Sequence, residues 1–151
     1  MMALDCRKLM TARLVDSLYT EAMLLADEAR AYFDEGGRAD RQALEPLARV
    51  SFSCESLKVT TRLMHVIAWL LMRKAIAAGE VREDERAESR RLGHAAGSEA
   101  DAIAMMPPAA VQLIAASTDL YDRVARIDRD MYEALPVSPA LGLIQKLERA
   151  L

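Results

Sequence analysis

The chain has 151 residues, 52 % of them hydrophobic and 28 % charged, with a formal net charge of −3. That length suggests one domain with a core of its own, and the acidic balance excludes a bulk basic field for nucleic acid or anionic lipid. Aromatics are only 5 % while Ala, Leu and nine Met abound, a composition suited to helices.

The N-terminal MMALDCRKLM lacks a basic region followed by an apolar run, so it does not read as a signal peptide. The first helix is predicted over about residues 5–33. Val15, Leu18, Ala22, Leu25, Ala29 and Tyr32 alternate three and four apart along one seam, opposite Asp16, Glu21, Asp27, Glu28 and Arg30. Asp34-Glu35-Gly36-Gly37 then breaks the chain.

A second helical segment spans about 41–78. Pro46 either lies harmlessly in its first turn or splits off a short leading helix, with the long part starting near Ser53 or Ser56 as N-cap. On a helical wheel this segment shows two apolar seams. One holds Leu57, Thr61, Met64, Ala68, Leu71 and Ala75; the other holds Val59, Leu63, Val66 and Leu70, joined to the first by Ile67. A surface helix usually buries one face a little over about 100° wide. Two seams imply partners on two sides: the chain's own core and a second copy in a homodimer. Leu57, Val59, Leu63, Met64, Val66, Ile67, Leu70 and Leu71 are therefore the expected core and dimer residues. The longest apolar run, Val66 to Met72, falls far short of the roughly 20 residues a membrane span needs, so no membrane association is expected.

The remaining stripe of this helix is Lys58, Arg62, His65, Trp69 and Arg73. It reads as an exposed basic face, solvated or available to a protein partner, with stacking on a base or nucleotide as the alternative. Residues 80–104 are mostly charged, then loop-like, with a short solvated helix expected within VREDERAESRRL. Pro107-Pro108 marks the start of a third helix over about 108–134. Its seam is Leu113, Ser117, Leu120, Val124, Ile127 and Met131. Its other side carries Asp119, Asp122, Arg123, Arg126, Arg129 and Asp130, a second candidate partner face. Leu135-Pro136 is expected to end it. In the tail, 136–151, Leu141, Ile144, Leu147 and Leu151 line one face of a short helix that is marginal alone.

This pattern predicts an all-α, antiparallel three-helix bundle over 1–135 with a short mobile C-terminal segment. Cys6 and Cys54 read as free thiols of a cytoplasmic protein. His65 and His94, the two histidines, lack the Glu-x-x-His and zinc spacings, and no phosphate loop or nucleophile elbow occurs. Neither a catalytic residue, a metal nor a cofactor is expected. The methionines, Met64, Met72, Met105, Met106 and Met131 among them, read as core filler.

ESLKVTTRLM followed by AWLLM, with YTEAMLLADEARAYFD before it and LYDRVARIDRDMY after it, resembles the regulator-of-CtrA-degradation family, the RcdA-like proteins of alphaproteobacteria. The resemblance runs from about Leu14 to Tyr132. It implies a dimeric three-helix bundle without enzymatic activity. It implies an adaptor that delivers selected cell-cycle regulators to the ClpXP protease, together with a receiver-domain adaptor. A cyclic-dinucleotide-responsive protein is a further implied partner. It assigns no individual functional residues.

Overall fold

The structure, a computed structural model, describes residues 2–82, 88–134 and 139–151, with side chains described from Thr11 onward except at 139, 141, 142 and 145. All regular structure in the described residues is helical: α1 (Met2–Ala31), α2 (Arg38–Gln42), α3 (Pro46–Ala77), α4 (Ala100–Ala104), α5 (Pro108–Glu133) and α6 (Pro139–Ala150). Helices α1, α3 and α5 form a bundle around one core.

The α1 seam packs inward as the periodicity requires: Val15, Leu18, Ala22, Leu25 and Ala29 are all buried. Helix α1 ends in a widened turn over Tyr32–Gly36, closed by the Gly37 N–H donating to the Tyr32 carbonyl at 2.6 Å. Gly37 lies so close to Tyr32 that a β-carbon there would stand 2.8 Å from that carbonyl oxygen. The turn puts Tyr32 and Phe33 against Phe52 of α3, with ring centroids 6.1 and 5.3 Å away.

Pro46 resolves to the first of its two readings. It opens an unbroken α3 after an extended Glu45, and no side chain caps that end, so Ser53 and Ser56 lie within the helix rather than at its start. At the far end Gly79 adopts φ +73°, the left-handed conformation that glycine accepts without penalty. The Gly79 and Glu80 N–H groups reach back to the Ile76 and Ala75 carbonyls at 3.1 and 3.0 Å, which satisfies the last turn.

Helix direction departs from the expected antiparallel bundle, in which each long helix reverses the one before it. Asp16 pairs with Lys74, and Tyr32 meets Phe52, so α1 and α3 do run oppositely. Arg62 pairs with Ser117 and Trp69 with Asp128, so α3 and α5 run in the same direction. The cause is the chain between them, long enough to return along the bundle before α5 starts. Arg90 contacts Met72, Tyr121 accepts from Ala95 and donates to Gly93, and Ser98 reaches Glu55. Residues 91–99 thus form an irregular strap descending beside α3 and α5. Part of the segment expected to be loop is instead the short helix α4, followed by buried Met106, an extended Pro107 and Pro108 as the first residue of α5.

The expected helix in VREDERAESRRL lies partly outside the described residues. Only Glu88–Arg90 is described there, as a single tight turn. The expected stop at Leu135-Pro136 also lies outside them. In α6, Leu143, Ile144, Leu147 and the following Leu151 are exposed. None of the described helices is long and apolar enough to cross a membrane.

Candidate partner-binding surfaces

The stripe expected on the surface of α3 is in large part interior. Arg62 is 2 % exposed and Trp69 4 %, because α5 and the strap cover the side they occupy. This corrects the reading of Lys58, Arg62, Trp69 and Arg73 as one solvated basic face and removes the premise of a base-stacking surface. A helical wheel distinguishes polar from apolar sides, but it cannot show that a polar side is covered.

Arg62 is held by three acceptors: the Ser117 hydroxyl at 3.2 Å, the Ala96 carbonyl at 3.1 Å and the Ser98 hydroxyl at 2.6 Å. Ser98 donates in turn to Glu55, which is 1 % exposed and pairs with Lys58 at 3.3 Å. Burial pulls the Arg62 guanidinium below its ordinary pKa, while Glu55 and then Asp122 oppose the shift. A buried cation whose hydrogen bonds all go to α5 and the strap acts as a structural rivet. Further along, the Trp69 indole N–H donates to Asp128 at 3.0 Å, and Arg91 of the strap donates to the other oxygen of that carboxylate at 3.0 Å. Arg73 is half-buried beside them, its guanidinium 5.4 Å from the Trp69 ring centre.

The polar side of α5 behaves differently. Asp122, Arg126 and Asp130 are exposed, whereas half-buried Arg123 is tied to Asp119 at 2.9 Å and to Glu21 of α1. The Glu21 hydrogen bond is the leading reason that the Arg123 pKa is raised.

The two apolar seams of α3 separate cleanly. Val59, Leu63, Val66 and Leu70 are buried in the chain's own core, and Ile67 packs against it. Leu57 is 68 % exposed, Met64 64 % and Leu71 46 %. The exposed seam also extends further toward the N-terminus than expected. Leu47, Val50, Cys54, Leu57, Thr61, Met64, Ala68 and Leu71 alternate three and four residues apart, and all are exposed. This is a heptad seam, the pattern by which one helix packs along another. Its Leu47 and Val50 were missed because the long helix was started at Ser53 or Ser56. The three-four alternation continued backward from Leu57 is the signal that finds them. Among the methionines, Met106 fits the core-filler reading, while Met64 and Met105 are exposed.

Cys54 is a free thiol within that exposed seam, and the side chain of Cys6 lies outside the described residues. Among the described residues, no group of three or more His, Cys, Asp or Glu side chains is placed to hold a metal ion.

The chain as a whole matches a known family. The family profile described as protein of unknown function (DUF1465) matches residues 6–151, and the chain belongs to that family. Its fold is similar to the crystal structure of RcdA from Caulobacter crescentus CB15, at 35 % identity and a TM-score of 0.66, over 81 % of this chain and 93 % of that one. The family resemblance read from the central helix is thereby established. No curated sequence matches the chain.

Proposed function

We propose that this chain is a non-enzymatic adaptor of regulated proteolysis, which brings selected cell-cycle regulators to the ClpXP protease. The observation that carries this reading is the likeness to RcdA, which extends over nearly all of that protein. An adaptor works by tethering: it holds cargo near the protease and raises its effective concentration there without chemistry of its own. In this reading a receiver-domain adaptor and a cyclic-dinucleotide-responsive protein are its companions, the site of action is the cytoplasm, and residues 136–151 form a tail appended to the bundle.

The same reading makes the chain a homodimer through the exposed seam of α3. Leu47, Val50, Leu57, Met64 and Leu71 support it, since large side chains at heptad spacing are best covered by a second helix of the same pattern. The α5 face of Asp122, Arg126 and Asp130 then remains for cargo or for the protease side.

The test is a protease variant that traps clients without cleaving them, recovered from the host with and without this chain. Clients that disappear when the chain is deleted are then purified and degraded in a reconstituted reaction. Faster degradation on adding the chain supports the adaptor reading. If no client depends on it in either assay, the reading fails.

A further inference from the structure

The strap of residues 91–99 is held to the bundle by polar groups more than by apolar burial. None of its residues is fully buried, and Leu92 alone among them packs against the core. Among the described residues, 92–98 make no backbone-to-backbone hydrogen bond. Side chains of the bundle take over that role. The Tyr121 hydroxyl donates to the Gly93 carbonyl at 2.7 Å and accepts from the Ala95 N–H at 3.2 Å. Arg62 donates to the Ala96 carbonyl at 3.1 Å, and Asp128 holds Arg91 at 3.0 Å. Ser98 is the last fastening. Its hydroxyl accepts from Arg62 at 2.6 Å and donates to Glu55, so it stands between the two buried charges of α3.

Strap and bundle therefore differ in what keeps them in place. The buried core shared by α1, α3 and α5 includes no residue of 91–99, so those helices keep their apolar burial without the strap. Lifting the strap exchanges its hydrogen bonds for bonds to water, a small net loss for each. It also returns Arg62 and Glu55 to water and recovers the desolvation cost that burial imposes on both charges. The lowered pKa of Arg62, caused first by burial, reflects that cost.

We propose that residues 91–99 open as one unit while the helical bundle stays folded, with Ser98 as the latch, and that opening uncovers Arg62 and Glu55 on α3. Segments fastened by few apolar contacts open at lower free energy than the core they cover. The charged patch of α3 is then a surface of the open form alone, and a partner that binds it shifts the chain toward that form. The device stands whether or not the chain delivers cargo to a protease.

Amide hydrogen exchange of the full chain, followed by NMR at several low urea concentrations, separates the two parts. The Ala95 amide reports the strap, since its acceptor is the Tyr121 hydroxyl, and the Val66 amide reports the bundle, since that residue is fully buried in α3. Ala95 should be protected, yet about a hundredfold or more less than Val66, and with little dependence on urea. Val15→Ala, which trims the core from α1, should speed exchange at Val66 about tenfold and leave Ala95 unchanged, because the bundle is intact in both the closed and the open form. Leu18→Ala, a larger truncation on the same seam, repeats the comparison. Ser98→Ala should speed exchange at both amides by the same factor, about tenfold, because the closed form alone holds the latch. Core truncations that speed both amides alike would mean that the strap opens only when the bundle unfolds. An unprotected Ala95, a Val66 no better protected than Ala95, or an Ala95 rate untouched by Ser98→Ala equally overturns the proposal.

Discussion

Gly93 of the strap lies against the imidazole of His65 on α3 so closely that a β-carbon at Gly93 would stand 2.2 Å from Nδ1 and 3.0 Å from Cγ. Because Cγ is near the root of the side chain, a rotamer change of the ring end alone does not make room. The histidine that sequence patterning places on a solvated stripe is thus the surface over which the strap passes. Gly93→Ala should destabilise the fold by about 1–3 kcal/mol through overpacking. His65→Ala in the same chain should recover most of the loss, which a double-mutant cycle of urea melts measures. Additive losses would show that the close approach has no energetic weight.

Arg62 is the electrostatic counterpart of that contact. Replacing it with Met keeps its aliphatic bulk but frees Ala96, Ser98 and Ser117 and leaves the nearby buried Glu55 with Lys58 as its remaining cationic neighbour. A cost of about 3 kcal/mol or more is expected, since a buried carboxylate is left undercompensated. Adding Glu55→Gln should recover part of it by removing that charge. Thermal melts of the two variants check both signs. For the same reason a charge reversal at Arg62 cannot serve as a probe of partner binding, because it acts on the fold.

The seams of α1 and α5 were legible in the sequence because each helix has one apolar side, and one-sided burial is what a 3.6-residue period encodes. Helix α3 was harder. Its periodicity separated Leu57, Met64 and Leu71 from Val59, Leu63 and Leu70 correctly, but nothing in the pattern said which set met the chain's own core. Arg62 and Trp69 were misplaced because they are covered by Ser117 and Asp128 of a parallel α5 and by Ala96, Ser98 and Arg91, in a strap with no period to read. Helix direction depended on the same segment: a connection that returns along the bundle makes α3 and α5 parallel, and its path is set by contacts such as Gly93–His65.

Tyr32 gives the fold a defined alkaline limit. Its hydroxyl donates to Asp40 at 2.8 Å, and burial first, then that hydrogen bond, push its pKa well above the ordinary tyrosine value of about 10. Below that value the folded and unfolded chains both hold the proton, and the stabilisation is fully present. Above it the unfolded chain loses the proton while the folded chain keeps it, so stability falls as pH rises toward the folded pKa. Chemical melts at increasing alkaline pH should show a decline that is smaller in Tyr32→Phe. The phenolate absorbance of the native chain should lose its latest-titrating component in the same variant. An identical decline in both proteins would mean that Tyr32 ionises as freely in the fold as out of it.

Leu57 and Leu70 provide the sharpest separation between the two sides of α3. Leu70 is fully buried and Leu57 is 68 % exposed, although both are leucines of one helix. Leu70→Arg should unfold the chain, because it places an unpaired cation in the core. Leu57→Glu combined with Met64→Glu should leave the monomer within about 0.5 kcal/mol of its original stability, as exposed substitutions do. It should nonetheless abolish a dimer built on the heptad seam, because glutamates facing one another across a helix pair replace apolar contact with repulsion. Light scattering over a range of protein concentrations, paired with circular dichroism, distinguishes the outcomes. A dimeric wild type and a folded, monomeric double variant identify the seam as the subunit interface. A wild type that stays monomeric at every concentration removes the homodimer, and a double variant that stays dimeric moves the interface to another face.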